Sequence, residues 1–191
     1  MTVGVFASSS DLIDKRYQAI ASELGALLVK AGINIIFGGG GIGLMGALAD
    51  SAIKMEGKIK GVIPSFMKEE GWDHHEVKDM VYTVDMGSRK KTIFELSDAV
   101  IALPGGIGTL EELTEAITLK QLGLYTGQIL IINSLNYYDH LIKFLNHMVE
   151  GNFMRAEHTE MWEVVSTPLE AIEALHSYKG WIPYPRKIAK I

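Results

Sequence analysis

Residues 104–112, Pro-Gly-Gly-Ile-Gly-Thr-Leu-Glu-Glu, constrain the fold more than any other stretch of the chain. The unbroken apolar run Ala99 to Leu103 before them reads as a fully buried strand, and Leu110, Leu113, Ile117 and Leu124 after them recur at helical spacing. The predicted order is strand, glycine turn, helix. Gly105, Gly106 and Gly108 put no side chain between a backbone amide and a guest. The first N–H groups of the helix and its positive dipole end then favour an anion, phosphate above all. A plainer reading stands beside this one. Thr109 and Glu112 have the S/T-x-x-E spacing of a capping box, and both could simply satisfy amides at the helix start. A cap accounts for those two residues but not for the three glycines together.

Val3 to Phe6 predicts a first strand, followed by Ser8, Ser9 and Ser10 and a helix marked by Leu12, Tyr17, Ile20, Leu24, Leu27 and Leu28. The serines either cap that helix or line a polar site at the strand's carboxyl end, and spacing alone does not separate the two. Ile33 to Phe37 predicts a second strand running into the glycine-rich stretch 38–46. There Gly41, Gly43 and Gly46 satisfy G-x-G-x-x-G, the dinucleotide fingerprint. The motif follows the second strand rather than the first, however, and the next strand, Ile59 to Ile63, ends in Pro64-Ser65 without an acid to hold a ribose diol. A glycine-lined nucleotide or sugar-phosphate cleft fits better than NAD or FAD.

Pro64 to Asp79 is too long and polar for a simple connection and reads as a functional loop. Its His74-His75 pair lacks any supporting metal-ligand spacing and is read as solvated. Met80 to Val84 predicts a fourth strand, after which Arg89, Lys90 and Lys91 fall in what reads as a first helical turn. Cations oppose the helix dipole there unless an anion bridges them, the alternative being an exposed charge run. On the helix after the 104–112 loop, Glu111, Glu115 and Thr118 share one face, with Glu112 beside the loop. Ile129 to Ile132 and Trp162 to Val165 predict two more strands, and a helix from Thr167 or Pro168 to about His176 closes the pattern.

Strands alternate with helices throughout, so the predicted fold is α/β, an open and mostly parallel sheet of about seven strands with helices on both faces. At 191 residues, one domain over 1–177 with a tail over 178–191 is expected. The four chemistry-bearing stretches, 8–10, 38–46, 86–91 and 104–112, all fall at strand carboxyl ends, which share one edge in such a sheet. One cleft is expected to collect them. The net charge of −5 argues against a nucleic-acid binder. The absence of cysteine rules out a disulfide framework and a thiolate metal site. With no signal-like start and no membrane-length apolar run, a cytoplasmic protein without a membrane partner is expected.

These motifs resemble those of the Lonely Guy family, the cytokinin riboside 5′-monophosphate phosphoribohydrolases, whose members often carry the older label of possible lysine decarboxylase. The family's P-G-G-x-G-T-x-x-E motif is present as Pro104 to Glu112, its G-G-G-x-x-G-L-M-G run as Gly39, Gly40, Gly41, Gly43, Leu44, Met45 and Gly46, and its R-K pair as Arg89 and Lys90. The chain departs from the pattern at Gly87 and Ser88, where the family commonly has His and a polar or acidic residue, and at Ile107, commonly Tyr.

The resemblance implies a Rossmann-like fold and a homodimer; no cofactor and no metal are expected. It implies hydrolysis of the N-glycosidic bond of AMP or an N6-modified AMP to free base and ribose 5-phosphate. Glu112 and Arg89 are its catalytic candidates. Ser8, Gly39, Gly40, Gly43, Glu70, Met86, Lys90, Gly105, Gly106, Gly108, Thr109, Glu111, Glu115 and Thr118 are the residues expected to meet the nucleoside monophosphate. The chemistry agrees: cleavage develops positive charge on the ribose, which a neighbouring carboxylate stabilises. The decarboxylase label fits poorly, because no lysine with a partner for a pyridine nitrogen stands out. The alternative from another class is a non-catalytic nucleotide or molybdenum-cofactor carrier, which needs an anion cradle but neither Glu112 nor Arg89.

Overall fold

The computed structural model describes residues 1–181. Its strands are β1 (Thr2–Phe6), β2 (Asn34–Phe37), β3 (Ile59–Pro64), β4 (Asp79–Thr83), β5 (Ala99–Ala102), β6 (Gln128–Ile132) and β7 (Glu163–Val165). Its helices are α1 (Lys15–Lys30), α2 (Gly43–Lys54), α3 (Ser65–Glu69), α4 (Met86–Leu96), α5 (Ile107–Gln121), α6 (Asp139–Glu150) and α7 (Pro168–Ser177). The strands form one sheet in the order β4-β3-β2-β1-β5-β6-β7, and every neighbouring pair is parallel. The expected α/β Rossmann-like sheet is thus present, wholly parallel among the described residues.

Strand side chains alternate between two cores because successive residues point to opposite faces. Val3, Val5, Ile101 and Leu130 pack with Leu24 and Leu28 of α1, Leu48 of α2 and Ala171 of α7. Phe6, Val100, Ile129 and Ile131 pack with Ile93 and Phe94 of α4 and Leu113 and Ile117 of α5. Burial on both faces is why the strands read as continuous apolar runs.

The strand order turns at β1. From it the chain builds outward through β2, β3 and β4 on one side and β5, β6 and β7 on the other. The carboxyl ends of β1 and β5 therefore flank a switch point, the place where open α/β sheets leave a crevice. Ser8 follows one of those strands and the 104–112 loop the other, and the Ser8 N–H donates to the Pro104 carbonyl at 3.3 Å.

Several local expectations change. Asp14, not a serine, caps α1, its carboxylate accepting from the Arg16 N–H at 2.9 Å. Leu12 precedes the helix and Leu124 follows α5, and both are exposed. Tyr178 and Trp181, at the start of the expected tail, lie against the chain's own Lys120, whose buried Nζ donates to the Gly127 carbonyl at 2.7 Å and to Tyr178 Oη at 2.9 Å. Burial pulls that ammonium down to about 8. The rest of the expected tail, 182–191, lies outside the described residues. Among the described residues no helix is long and apolar enough to cross a membrane.

Candidate active site

Above the carboxyl ends of the central strands lies a cleft of about 890 Å³, toward the upper end of the roughly 300–1,000 Å³ usual for small-molecule sites. All four sequence stretches reach it, through Ser8 to Ser10, Gly38 with Gly40 to Ile42 and Met45, Met86 with Arg89, and Gly106 to Thr109 with Glu112.

Helix α5 starts at Ile107 with Gly106 as its cap residue, which makes no side-chain cap bond to the first turn. Thr109 therefore sits inside the helix, and the capping-box reading of Thr109 and Glu112 does not hold. Among the described residues the amides of Ile107, Gly108 and Thr109 meet no protein acceptor, the first closed turn being Leu110 N–H to the Gly106 carbonyl at 3.1 Å. A Cβ added at Gly106 or Gly108 would meet nothing within 4 Å, so the space above these amides is open to an anion. The loop itself is held from behind. Tyr137 Oη donates to the Gly105 carbonyl at 2.6 Å and Tyr138 Oη to the Leu103 carbonyl at 2.7 Å.

Arg89 and Glu112 meet at the cleft floor. Arg89 Nη1 donates to Glu112 Oε1 at 2.5 Å, Nε to the Val62 carbonyl at 3.1 Å and Nη2 to the Gly38 carbonyl at 3.3 Å. Both residues are about 6% exposed. Gly38 has to be glycine, since a Cβ there would overlap the guanidinium. Burial pushes the Glu112 carboxyl above the usual carboxylate range, against the pull of the Arg89 guanidinium. The start of α4 has partners within the chain. Asp85 caps it in a reciprocal box with Ser88, Asp85 Oδ1 accepting from the Ser88 N–H at 2.7 Å, and Arg89 falls in the second turn.

The glycine run after β2 does different work from the one after β5. The first amides of α2, on Leu44 and Met45, already donate to the Ser8 carbonyl at 2.9 and 3.2 Å. Gly43 has φ +67°, and a Cβ on it would stand 2.5 Å from the Ser10 carbonyl oxygen. The run lets the β1–α1 loop and the 72–74 segment approach closely, and only part of it, including Gly40, lines the cleft.

Comparison with known proteins decides the family. Residues 45–175 match the family described as "Possible lysine decarboxylase". The chain is 36% identical over 185 residues to a cytokinin riboside 5′-monophosphate phosphoribohydrolase of Arabidopsis thaliana, covering 97% of this chain and 85% of that protein. It is 38% identical over 176 residues to an Oryza sativa subsp. japonica protein named "Probable cytokinin riboside 5′-monophosphate phosphoribohydrolase", covering 92% of this chain and 72% of that one. The chain belongs to the Lonely Guy family. Among solved structures, the molybdenum cofactor carrier protein of Chlamydomonas reinhardtii superimposes with a TM-score of 0.71 over 92% of this chain and 95% of that one at 19% identity, a likeness of fold.

In this Lonely Guy protein, Gly39, Gly43, Glu70, Lys90, Gly105, Glu111, Glu115 and Thr118 stand outside the cleft wall, whereas Ser8, Gly40, Met86, Arg89, Gly106, Gly108, Thr109 and Glu112 are in it. Lys90 pairs with Glu111 and with Glu115, its Nζ 2.6 Å from Glu115 Oε2. Glu70 ends the short α3, and Thr118 Oγ1 donates back to the Thr114 carbonyl at 2.8 Å. The departures from the family pattern are accommodated: Ser88 serves the α4 cap, and Ile107 is exposed at the cleft mouth. Among the described residues no lysine lines the cleft, so it offers no amine for a Schiff base.

The cleft also contains Asp50, which the sequence did not single out, and His74, which it read otherwise. His74 is not a solvated loop histidine. It is 6% exposed and its Nε2 lies 3.1 Å from Asp50 Oδ1 of α2. The 72–76 segment is drawn there because Gly40 bridges Asp73 and the His74 N–H donates to the Gly39 carbonyl at 2.9 Å. Among the described residues no three His, Asp or Glu side chains converge as a metal set.

Proposed function

We propose that this chain hydrolyses the N-glycosidic bond of AMP or an N6-modified AMP, giving free base and ribose 5-phosphate. The observation that carries the reading is the buried Arg89–Glu112 pair beside the open amides of α5. Phosphate on the Gly106 to Thr109 amides sets the ribose over Glu112. As the bond from C1′ to the base nitrogen lengthens, positive charge grows on the ribose, and the ionised Glu112 stabilises it and accepts a proton from the incoming water. The water oxygen bonds to C1′ as the bond to the base breaks, and the proton taken up by Glu112 is passed to the nitrogen of the departing base, which restores the carboxylate. Arg89 holds Glu112 in place and, as a fixed cation, orients phosphate or ribose oxygens. The names of the relatives favour the same reaction.

Chromatography of the protein incubated with AMP and with N6-isopentenyl-AMP tests the proposal. Release of base and ribose 5-phosphate is expected; nucleotide bound without release would overturn hydrolysis in favour of carriage. The working form has Glu112 ionised, and its carboxyl is held above the ordinary range. Activity is therefore expected to fall as pH drops through that raised value, so the acid limb of the kcat/KM profile should lie above the usual carboxylate pKa. A limb at the ordinary value would remove Glu112 from the role.

The proposed unit is a cytoplasmic homodimer. Val84 and Ile107 are 85% and 82% exposed, large apolar side chains of the kind a second copy would cover. Light scattering should give twice 21.0 kDa; a monomer at assay concentration would refute the dimer.

A further inference from the structure

We infer that the His74–Asp50 pair selects the base, with Asp50 accepting a hydrogen bond from the exocyclic amine of a 6-aminopurine and His74 acting as a positioning residue behind it. The inference rests on the proposed nucleotide reading and names the part of the substrate that the Arg89–Glu112 end leaves unrecognised.

Helices α2 and α5 lie on opposite faces of the sheet and meet the cleft from its two sides. Phosphate at the α5 amides and ribose at Glu112 direct the base toward the wall made by α2 and residues 72–76. That wall carries Asp50, His74 and the half-exposed indole of Trp72, a flat apolar surface on which a purine can stack.

The protonation pattern of the pair follows from its bonds. The Glu76 N–H donates to His74 Nδ1 at 3.3 Å, so Nδ1 carries no proton and the ring hydrogen sits on Nε2, aimed at Asp50 Oδ1. Both ring nitrogens are thereby engaged, and His74 has no free atom for substrate. Asp50 is different. Its side chain is 68% exposed, and only Oδ1 is engaged by His74. A buried imidazole thus orients an exposed carboxylate that lines the cleft, and Oδ2 is left to accept from a ligand there.

A carboxylate only accepts hydrogen bonds. The amine of adenine donates one, and an N6-substituted adenine keeps one N–H to donate. A 6-oxopurine presents carbonyl lone pairs at the same point and is repelled. The site should therefore separate AMP from IMP while tolerating N6 substituents.

The test is calorimetric titration of AMP and IMP into the full chain carrying Glu112→Gln, which prevents turnover, with and without changes at the pair. AMP is expected to bind about tenfold more tightly than IMP, the scale of one partly exposed hydrogen bond to a charged group. Asp50→Asn, whose amide can donate to a carbonyl, should abolish or invert that ratio. His74→Phe should reduce it, and His74→Gln, which restores a donor toward Asp50, should recover it; loss of folding alone would weaken both ligands equally. An AMP-to-IMP ratio unchanged in Asp50→Asn would overturn the inference, as would equal weakening of both nucleotides. Normal selective binding by a wild-type protein that hydrolyses nothing would sink the hydrolase reading and leave the base selection standing. Binding of neither nucleotide would overturn both.

Discussion

Glu112→Gln is expected to lower kcat by about a thousandfold while KM for AMP changes little, the scale seen when one preorganised electrostatic group is removed from a developing charge. Glutamine keeps the volume of the side chain and an oxygen that accepts from Arg89 Nη1, so the fold and the binding surface persist. What it loses is the negative charge that opposes the ribose cation and the capacity to take a proton from water. The proposed phosphate site, on the Gly106 to Thr109 amides, is untouched. Steady-state rates with AMP, compared with binding by calorimetry, check this. Activity retained within about tenfold would mean that Glu112 acts as a structural partner of Arg89 rather than on the ribose.

Arg89→Ala should cost both rate and stability. The guanidinium joins three acceptors from different parts of the chain: the Glu112 carboxylate on α5, the Val62 carbonyl in β3 and the Gly38 carbonyl after β2. Truncation leaves Glu112 buried without a counter-charge, a change that typically costs about 3–5 kcal/mol in unfolding free energy. Denaturant unfolding with an unchanged m-value should register it. Removing both charges with the pair Arg89→Met and Glu112→Leu should recover most of that stability but no activity, because the penalty comes from the orphaned charge rather than from lost packing. Full stability of Arg89→Ala alone would show that the pair is not buried in solution.

The proposed catalytic pair was legible in outline. Pro104 to Glu112 and Arg89-Lys90 stood out as motifs, and both reach the cleft. Their relation was not legible, since Arg89 and Glu112 are 23 residues apart and meet only because α4 and α5 cover the same face of the sheet. The cations on α4 suggested an anion, and the structure pairs them with Glu95, Glu111, Glu112 and Glu115 of the chain itself, partners that no local spacing rule for a helix start names. Glycines misled in a similar way. A residue without Cβ permits any close approach, and nothing local says whether the approaching group is a ligand, as the open space at Gly106 allows, or a backbone, as at Gly43.

His74 shows the limit most plainly. A histidine in a long polar loop carries no periodic signal, and its partner Asp50 lies 24 residues earlier on a helix whose pattern marks only its buried face. The bridge from Gly40 to Asp73 brings them together, and no spacing rule contains it.

By itself the sequence determined the elements, because period-two and helical spacing are local properties of neighbouring residues. It also determined that four polar or glycine-rich stretches end strands of a parallel sheet. Only the tertiary structure decided that the sheet turns between β1 and β5, opening the crevice there, and which charges are buried together. Those outcomes depend on strand order and on helix packing across the sheet, which join residues distant in the chain, and it is burial in that arrangement that gives Glu112 its raised pKa and Arg89 its fixed place.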